Sequence, residues 1–154
     1  MKTVDINVIS NGQQYVGWDF TALPLAAALE AACQQVDQAA DSARRAVLGE
    51  SLRALEYQVT AQEAEAFAAA GFTGEVPPTV QAWMDAAELD AQAAAESILA
   101  EAHAWKDALY KIRAARLKGK QGVLRSANHS AAEVIADSAI AAIHASVQGV
   151  GNVS

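Results

Sequence analysis

Apolar and polar residues alternate over the first twenty positions, and a three-and-four spacing then takes over and persists almost to the end of the chain. A period of two marks a half-buried strand and a period near 3.6 an amphipathic helix, so this change of period divides the chain. Val4, Ile6 and Val8 alternate with polar neighbours, Asn11-Gly12 follows, and Tyr15, Val16, Trp18 and Phe20 come next. Asn-Gly supplies the positive φ angles of a two-residue type I′ turn, so residues 3–20 are expected to form a β-hairpin. A two-stranded hairpin alone is marginal in water and must lay its apolar face on something. Val4, Ile6, Tyr15, Trp18 and Phe20 are therefore candidate partner-binding residues, with docking on the chain's own helices as an equal alternative.

Thr21 is the expected N-cap of a helix starting near Ala22, with Pro24 tolerated in its first turn. Leu25, Leu29, Ala32, Val36, Ala39, Ala43 and Ala46 then recur at alternating steps of four and three, a 3.5-residue seam. A second seam, Leu48, Leu52, Leu55, Val59, Gln62, Ala66 and Ala69, repeats the spacing two residues out of step. Gly49 marks either a register adjustment within one helix or a break between two. A continuous element would be ~70 Å long at 1.5 Å per residue. That is longer than a lone globule of this size can cover, so the pattern predicts that neighbouring subunits supply the missing surface.

Gly71 is the expected C-cap, and Thr73, Gly74, Pro77 and Pro78 form a loop. A short helix through Val80, Trp83, Met84 and Ala87 should end near Leu89, and Asp90 should cap a second long helix from Ala91 to about Lys118. Ile98, Ala102, Trp105, Leu109, Ile112 and Arg116 again fall at coiled-coil spacing. Gly119 and Gly122 are expected to loosen the end of that helix. Ser126, Asn128 and Ser130 read as a connection with a cap, before an amphipathic segment through Val134, Ile135, Ala139, Ile143 and Val147 and a frayed tail containing Gly149 and Gly151. The fold class is mainly α: an N-terminal β-hairpin, long coiled-coil-like helices forming a helical hairpin, and a C-terminal helix. The corresponding segments are 1–20, 21–125 and 126–154.

Composition strengthens the helical reading, because roughly a quarter of the 154 residues are alanine. Alanine buries little area, so the core is thin for this length, and thin cores are commonly supplemented by oligomerisation. A net charge of -7 argues against nucleic acid or an anionic membrane as a partner, since both need a basic contact surface. No stretch approaches the length of a membrane span, and no export signal is evident at the start. The single cysteine, Cys33, excludes an intrachain disulfide and suits a reducing compartment such as a cytoplasm.

Candidate chemistry is sparse. His129, Glu133 and Asp137 form an i, i+4, i+8 stripe able to gather a cation, although such a stripe is more often a solvated face. No nucleophile elbow, phosphate loop or dinucleotide fingerprint occurs, so the expectation is no enzyme, no cofactor and no metal. Charge is unevenly placed: no basic residue lies between Arg53 and Lys106, while Lys106, Lys111, Arg113, Arg116, Lys118, Lys120 and Arg125 cluster. Read sharply, the cluster is a phosphate-binding patch of a helical DNA-binding regulator. Read plainly, it complements a helix C-terminus or pairs with acidic residues of a neighbouring helix. Trp83 and Trp105 are expected as core residues on apolar helix faces.

The run from Tyr57 to Lys120 resembles alanine-rich helical proteins encoded in tail and tail-fibre modules of tailed bacteriophages. The shared features are the Gly-aromatic-x-Gly turn at Gly71 to Gly74, the Val76-Pro77 step, Trp83, and the pattern of Trp105, Ile112, Arg113, Arg116 and Leu117. The resemblance covers less than half of the chain and rests on packing and turn residues. It implies a structural role at the distal tail: a fibre- or baseplate-associated adaptor made in the host cytoplasm and carried in the virion, or alternatively a fibre-assembly chaperone. Its implied partners are other tail or tail-fibre proteins and copies of itself, a trimer being favoured by fibre symmetry. Leu25, Leu29, Val36, Leu52, Leu55, Val59, Ile98, Trp105, Leu109 and Ile112 are the expected helix-seam contacts.

Overall fold

The computed structural model describes residues 1–49 and 51–150, excepting the side chains at 48 and 51–53. The fold is mainly helical, with a two-stranded antiparallel hairpin ahead of long helices and a C-terminal helix. Strands β1 (Ile6–Ser10) and β2 (Gln13–Trp18) pair antiparallel with Ser10 opposite Gln13. Asn11 and Gly12 form the two-residue turn, at φ 50° and 78°. The left-handed conformation at Gly12 has no steric cost without a Cβ. Between Val8 opposite Tyr15 and Ile6 opposite Trp18 the register shifts by one residue on β2, a bulge at which Gly17 N–H donates to Asn7 Oδ1 (2.9 Å).

A 3₁₀ turn at Phe20–Ala22 precedes α1 (Leu25–Leu48). The helix thus starts later than the Thr21 cap would have it. A proline bars the residue before it from helical geometry, and Leu23 is accordingly extended, with ψ 148°. Pro24 instead accepts the first helical hydrogen bond, from Ala28 N–H. The first long element is broken: Gly49 sits at φ 62° and α2 begins afresh (Ser51–Ala69). The continuous ~70 Å rod allowed by the spacing is therefore not formed. Helix α3 (Pro78–Ala87) occupies the corner and α4 (Ala91–Leu124) returns, followed by α5 (His129–Ala145). Asp90 Oδ1 accepts from Ala93 N–H (2.8 Å) and Asn128 Oδ1 from Ala131 N–H (2.9 Å), so both expected caps are made. At the end of α2, Phe72 N–H reaches back to Phe67 C=O in a Schellman-type closure.

The chain divides into two compact units, and their limits differ from the segments 1–20, 21–125 and 126–154. Unit 1 is Met1–Ala46 with Ala108–Gly149, and unit 2 centres on Val47–Asp107. The reason is packing: the hairpin and α5 share a core with α1 and the C-terminal half of α4. In unit 1, α4 runs antiparallel to α1, with Arg116 and Lys120 both bonded to Asp37 at 2.6 and 2.5 Å. Helix α5 runs antiparallel to α4. The approach is so close that a Cβ on Gly119 would lie 2.4 Å from Ala139 Cβ, and one on Gly122 2.8 Å from Ile135 Cγ2. These two glycines do not loosen α4, which continues to Leu124; they let α5 sit against it. Phe20, Ala28, Ala32, Val36, Ile112, Val123, Ala136 and Ile143 fill this core.

Unit 2 is built by α2, α3 and the N-terminal half of α4. Ala64, Phe67, Val80, Ala94 and Ala95 are buried together, with Phe72, Val76, Trp83, Met84, Ile98 and Leu99 packed around them. Glu63 on α2 caps α3 from outside, accepting from Thr79 N–H (3.2 Å) and Thr79 Oγ1–H (2.7 Å). An acidic group belongs there, because the N-terminus of a helix carries unsatisfied N–H donors and positive potential.

Candidate functional site

The hairpin uses its inner face within its own unit. Ile6, Tyr15 and Phe20 are buried, together with Val8, and are not free to meet a partner. Phe20 packs edge to face on His129, whose Nε2 is engaged with the carbonyl of Leu23 (2.9 Å), and Gln35 brackets the main chain of Lys2 through its side-chain amide. Of the five candidate docking residues only Val4 (58% exposed) and Trp18 (42%) reach solvent. The outward face adds two that are not among those candidates, Ile9 and Val16, at 64% and 63% exposed. Trp18 leans edge to face on Tyr15.

The seam residues divide in a similar way. Val36, Trp105 and Ile112 are buried, and Leu25, Leu29, Ile98 and Leu109 are half-buried, all within their own units. Leu52 lies outside the described side chains, as does Leu48, and positions 151–154 of the expected tail lie outside the described residues. The described side chains of the second seam are not packed within their own unit. Leu55 is 59% and Val59 42% exposed, with Gln62, Ala66 and Ala69 also open to solvent. The buried face of α2 is instead Ala64 and Phe67, with Tyr57, Thr60 and Ala61 half-buried. Ala64 is about half a turn of the helical wheel from Leu55 at 3.6 residues per turn.

The basic cluster is partly consumed inside unit 1. Arg116 and Lys120 share Asp37; burial alone would raise the pKa of this carboxyl, but their hydrogen bonds and charges outweigh it and hold the carboxyl below its ordinary value. This is the neighbouring-helix pairing anticipated from the charge pattern. Cys33 is buried close to the Lys120 carbonyl, and burial pushes its thiol pKa up. No group of three or more potential metal ligands gathers among the described residues. No described helix is long and apolar enough to cross a membrane.

Unit 2 contains a cavity of about 330 Å³ between α2, α3 and α4. Tyr57, Trp83 and Trp105 contribute aromatic surface to it, and Glu56 and Glu101 contribute carboxylates. Tyr57 and Trp105 meet edge to face, and burial raises the pKa of Glu101. The indole N–H groups of both tryptophans are buried without an acceptor. Because the five residues come from three separate elements, no local spacing brings them together; the only hint in the sequence is the long stretch without a basic residue. No protein-family model, curated protein or solved structure matches the chain.

Proposed function

We propose that this chain is a structural component of a tailed-bacteriophage tail, an adaptor associated with fibre or baseplate that works by packing against other proteins and against copies of itself, without catalysis. The observation that carries the assembly role is the apolar surface the fold leaves uncovered. Val4, Ile9 and Val16 stand mostly exposed on a hairpin already anchored by its inner face, and Leu55 and Val59 stand exposed on a helix whose opposite side is packed. Large apolar side chains exposed in this way, with Leu55 and Val59 adjacent at i and i+4 on one helix, favour protein contacts. Leu55 and Val59 retain the heptad spacing that a second copy of the same helix can meet. The tail setting, the neighbouring tail or fibre proteins and the trimeric state come from the resemblance over Tyr57 to Lys120 and from fibre symmetry.

Two measurements test this reading. Light scattering on the purified chain should give a mass about three times the 16.1 kDa of one copy, and a strictly monomeric chain at high concentration overturns self-assembly. Mass spectrometry of purified particles should find the chain in the virion; its absence from particles, with presence in infected cells, would assign it instead to fibre assembly.

A further inference from the structure

The cavity in unit 2 has no part in the packing role just proposed. Its volume, about 330 Å³, lies at the lower end of the range for small-molecule sites. Trp83, Trp105 and Tyr57 line it, and indole is the side chain whose face attracts cations best. Trp105 is only 8% exposed, yet its N–H, like that of Trp83, has no acceptor. Phenylalanine or leucine would fill these positions without leaving a buried donor unpaired.

The charges beside those rings have one sign. Glu56 and Glu101 both line the cavity, and no basic side chain does so among the described residues. From residue 54 to residue 105 the chain carries nine Asp or Glu and no Lys or Arg, so this stretch is strongly negative as a whole. Glu101 is half-buried and loses hydration there, so an arriving cation would stabilise its carboxylate. Glu63, by contrast, is already occupied as the cap of Thr79 and is not available to a ligand.

We propose that this cavity binds a small organic ammonium group carried on an apolar stem, with Tyr57, Trp83 and Trp105 surrounding the apolar part and Glu56 and Glu101 supplying the counter-charge. The group can arrive on a free amine or on a lysine side chain of another protein, and the two sources share this chemistry. Titration calorimetry on the full chain at neutral pH should show saturable binding of benzyltrimethylammonium and of choline. The neutral isostere 3,3-dimethylbutan-1-ol should bind at least roughly tenfold more weakly than choline, the difference that a desolvated cation–π contact and an ion pair together support. Glu101→Gln, checked for an unchanged circular-dichroism spectrum, should weaken choline by a similar factor while leaving the alcohol unchanged. Binding of Nα-acetyl-lysine methylamide as tightly as choline identifies lysine as the source, and preference for the quaternary ions identifies a free cation. Equal affinity for choline and the alcohol, or indifference to Glu101→Gln, or no heat from either cation at tens of millimolar, overturns the proposal.

Discussion

Replacing Gly119 with alanine should destabilise the protein, against the ordinary expectation for a glycine inside a helix. In an open helical position Gly→Ala gains about 1 kcal/mol, because alanine has less backbone entropy to lose. At Gly119 the new methyl would lie 2.4 Å from Ala139 Cβ, with Val36 Cγ1 at 3.6 Å and Ala139 Cα at 3.8 Å. Carbon atoms are comfortable at about 3.5–4.0 Å, so α4 and α5 must separate by on the order of 1 Å. Ala139 has no rotamer through which to yield. Overpacking costs about 1–3 kcal/mol, and with a rigid neighbour the upper part of that range applies. Subtracting the gain in propensity leaves a net loss of about 1–2 kcal/mol. Urea denaturation followed by far-ultraviolet circular dichroism measures it. Ala114→Gly, at an exposed site on the same helix, should lose about 1 kcal/mol and serves as the control of opposite sense. Adding Ala139→Gly to Gly119→Ala should recover stability, giving a coupling of at least about 1 kcal/mol in the double-mutant cycle. The reasoning fails if Gly119→Ala raises the midpoint by about as much as Ala114→Gly lowers it.

Asp37→Asn removes the charge shared by Arg116 and Lys120 and, since the site is about one-third exposed, should cost only about 1 kcal/mol at neutral pH. The folded-state pKa of Asp37 is lowered, so its contribution is complete above the unfolded carboxylate value and disappears as pH falls through the folded one; the gap between wild type and Asp37→Asn should close on acidification below the ordinary Asp range. Asn128→Ala, which deletes the acceptor for Ala131 N–H, should cost about 1 kcal/mol in the same denaturation experiment, and Asn128→Ser should restore most of it. Leu55→Glu with Val59→Glu should leave the circular-dichroism spectrum and melting midpoint close to wild type while reducing the solution mass to that of one copy; an unchanged mass would show that this face of α2 is not where copies meet.

The strands, helices and caps were legible wherever one residue type has one physical use. Asn11-Gly12 admits few conformations other than a tight turn, Asp90 and Asn128 offer acceptors at the start of apolar periods, and Gly71 ends a helix. The faces of α2 were not legible, because alanine satisfies both a packed and an exposed position. Leu55 and Val59 outweigh Ala64 in any reading by hydrophobicity, yet Ala64 and Phe67 are the buried pair. Gly119 and Gly122 weaken a helix by propensity, but glycines three apart facing Ala139 and Ile135 also permit close contact, and only the third dimension distinguishes the two. The cavity was hidden for a related reason: Tyr57, Trp83 and Trp105 each look like ordinary core until three helices converge on one space.

Unit 1 is discontinuous along the chain, and this has a consequence for synthesis. The ribosome delivers the hairpin and α1 before residues 47–107 of unit 2, and only afterwards His129, which packs on Phe20, and Gly119, which lies against Val36. At about 5–20 residues per second, the nascent chain holds that apolar surface uncovered for roughly 5–20 s. During that interval unit 2 can close while the earlier part of unit 1 waits, so a core begun before unit 2 is completed only once α5 has left the tunnel.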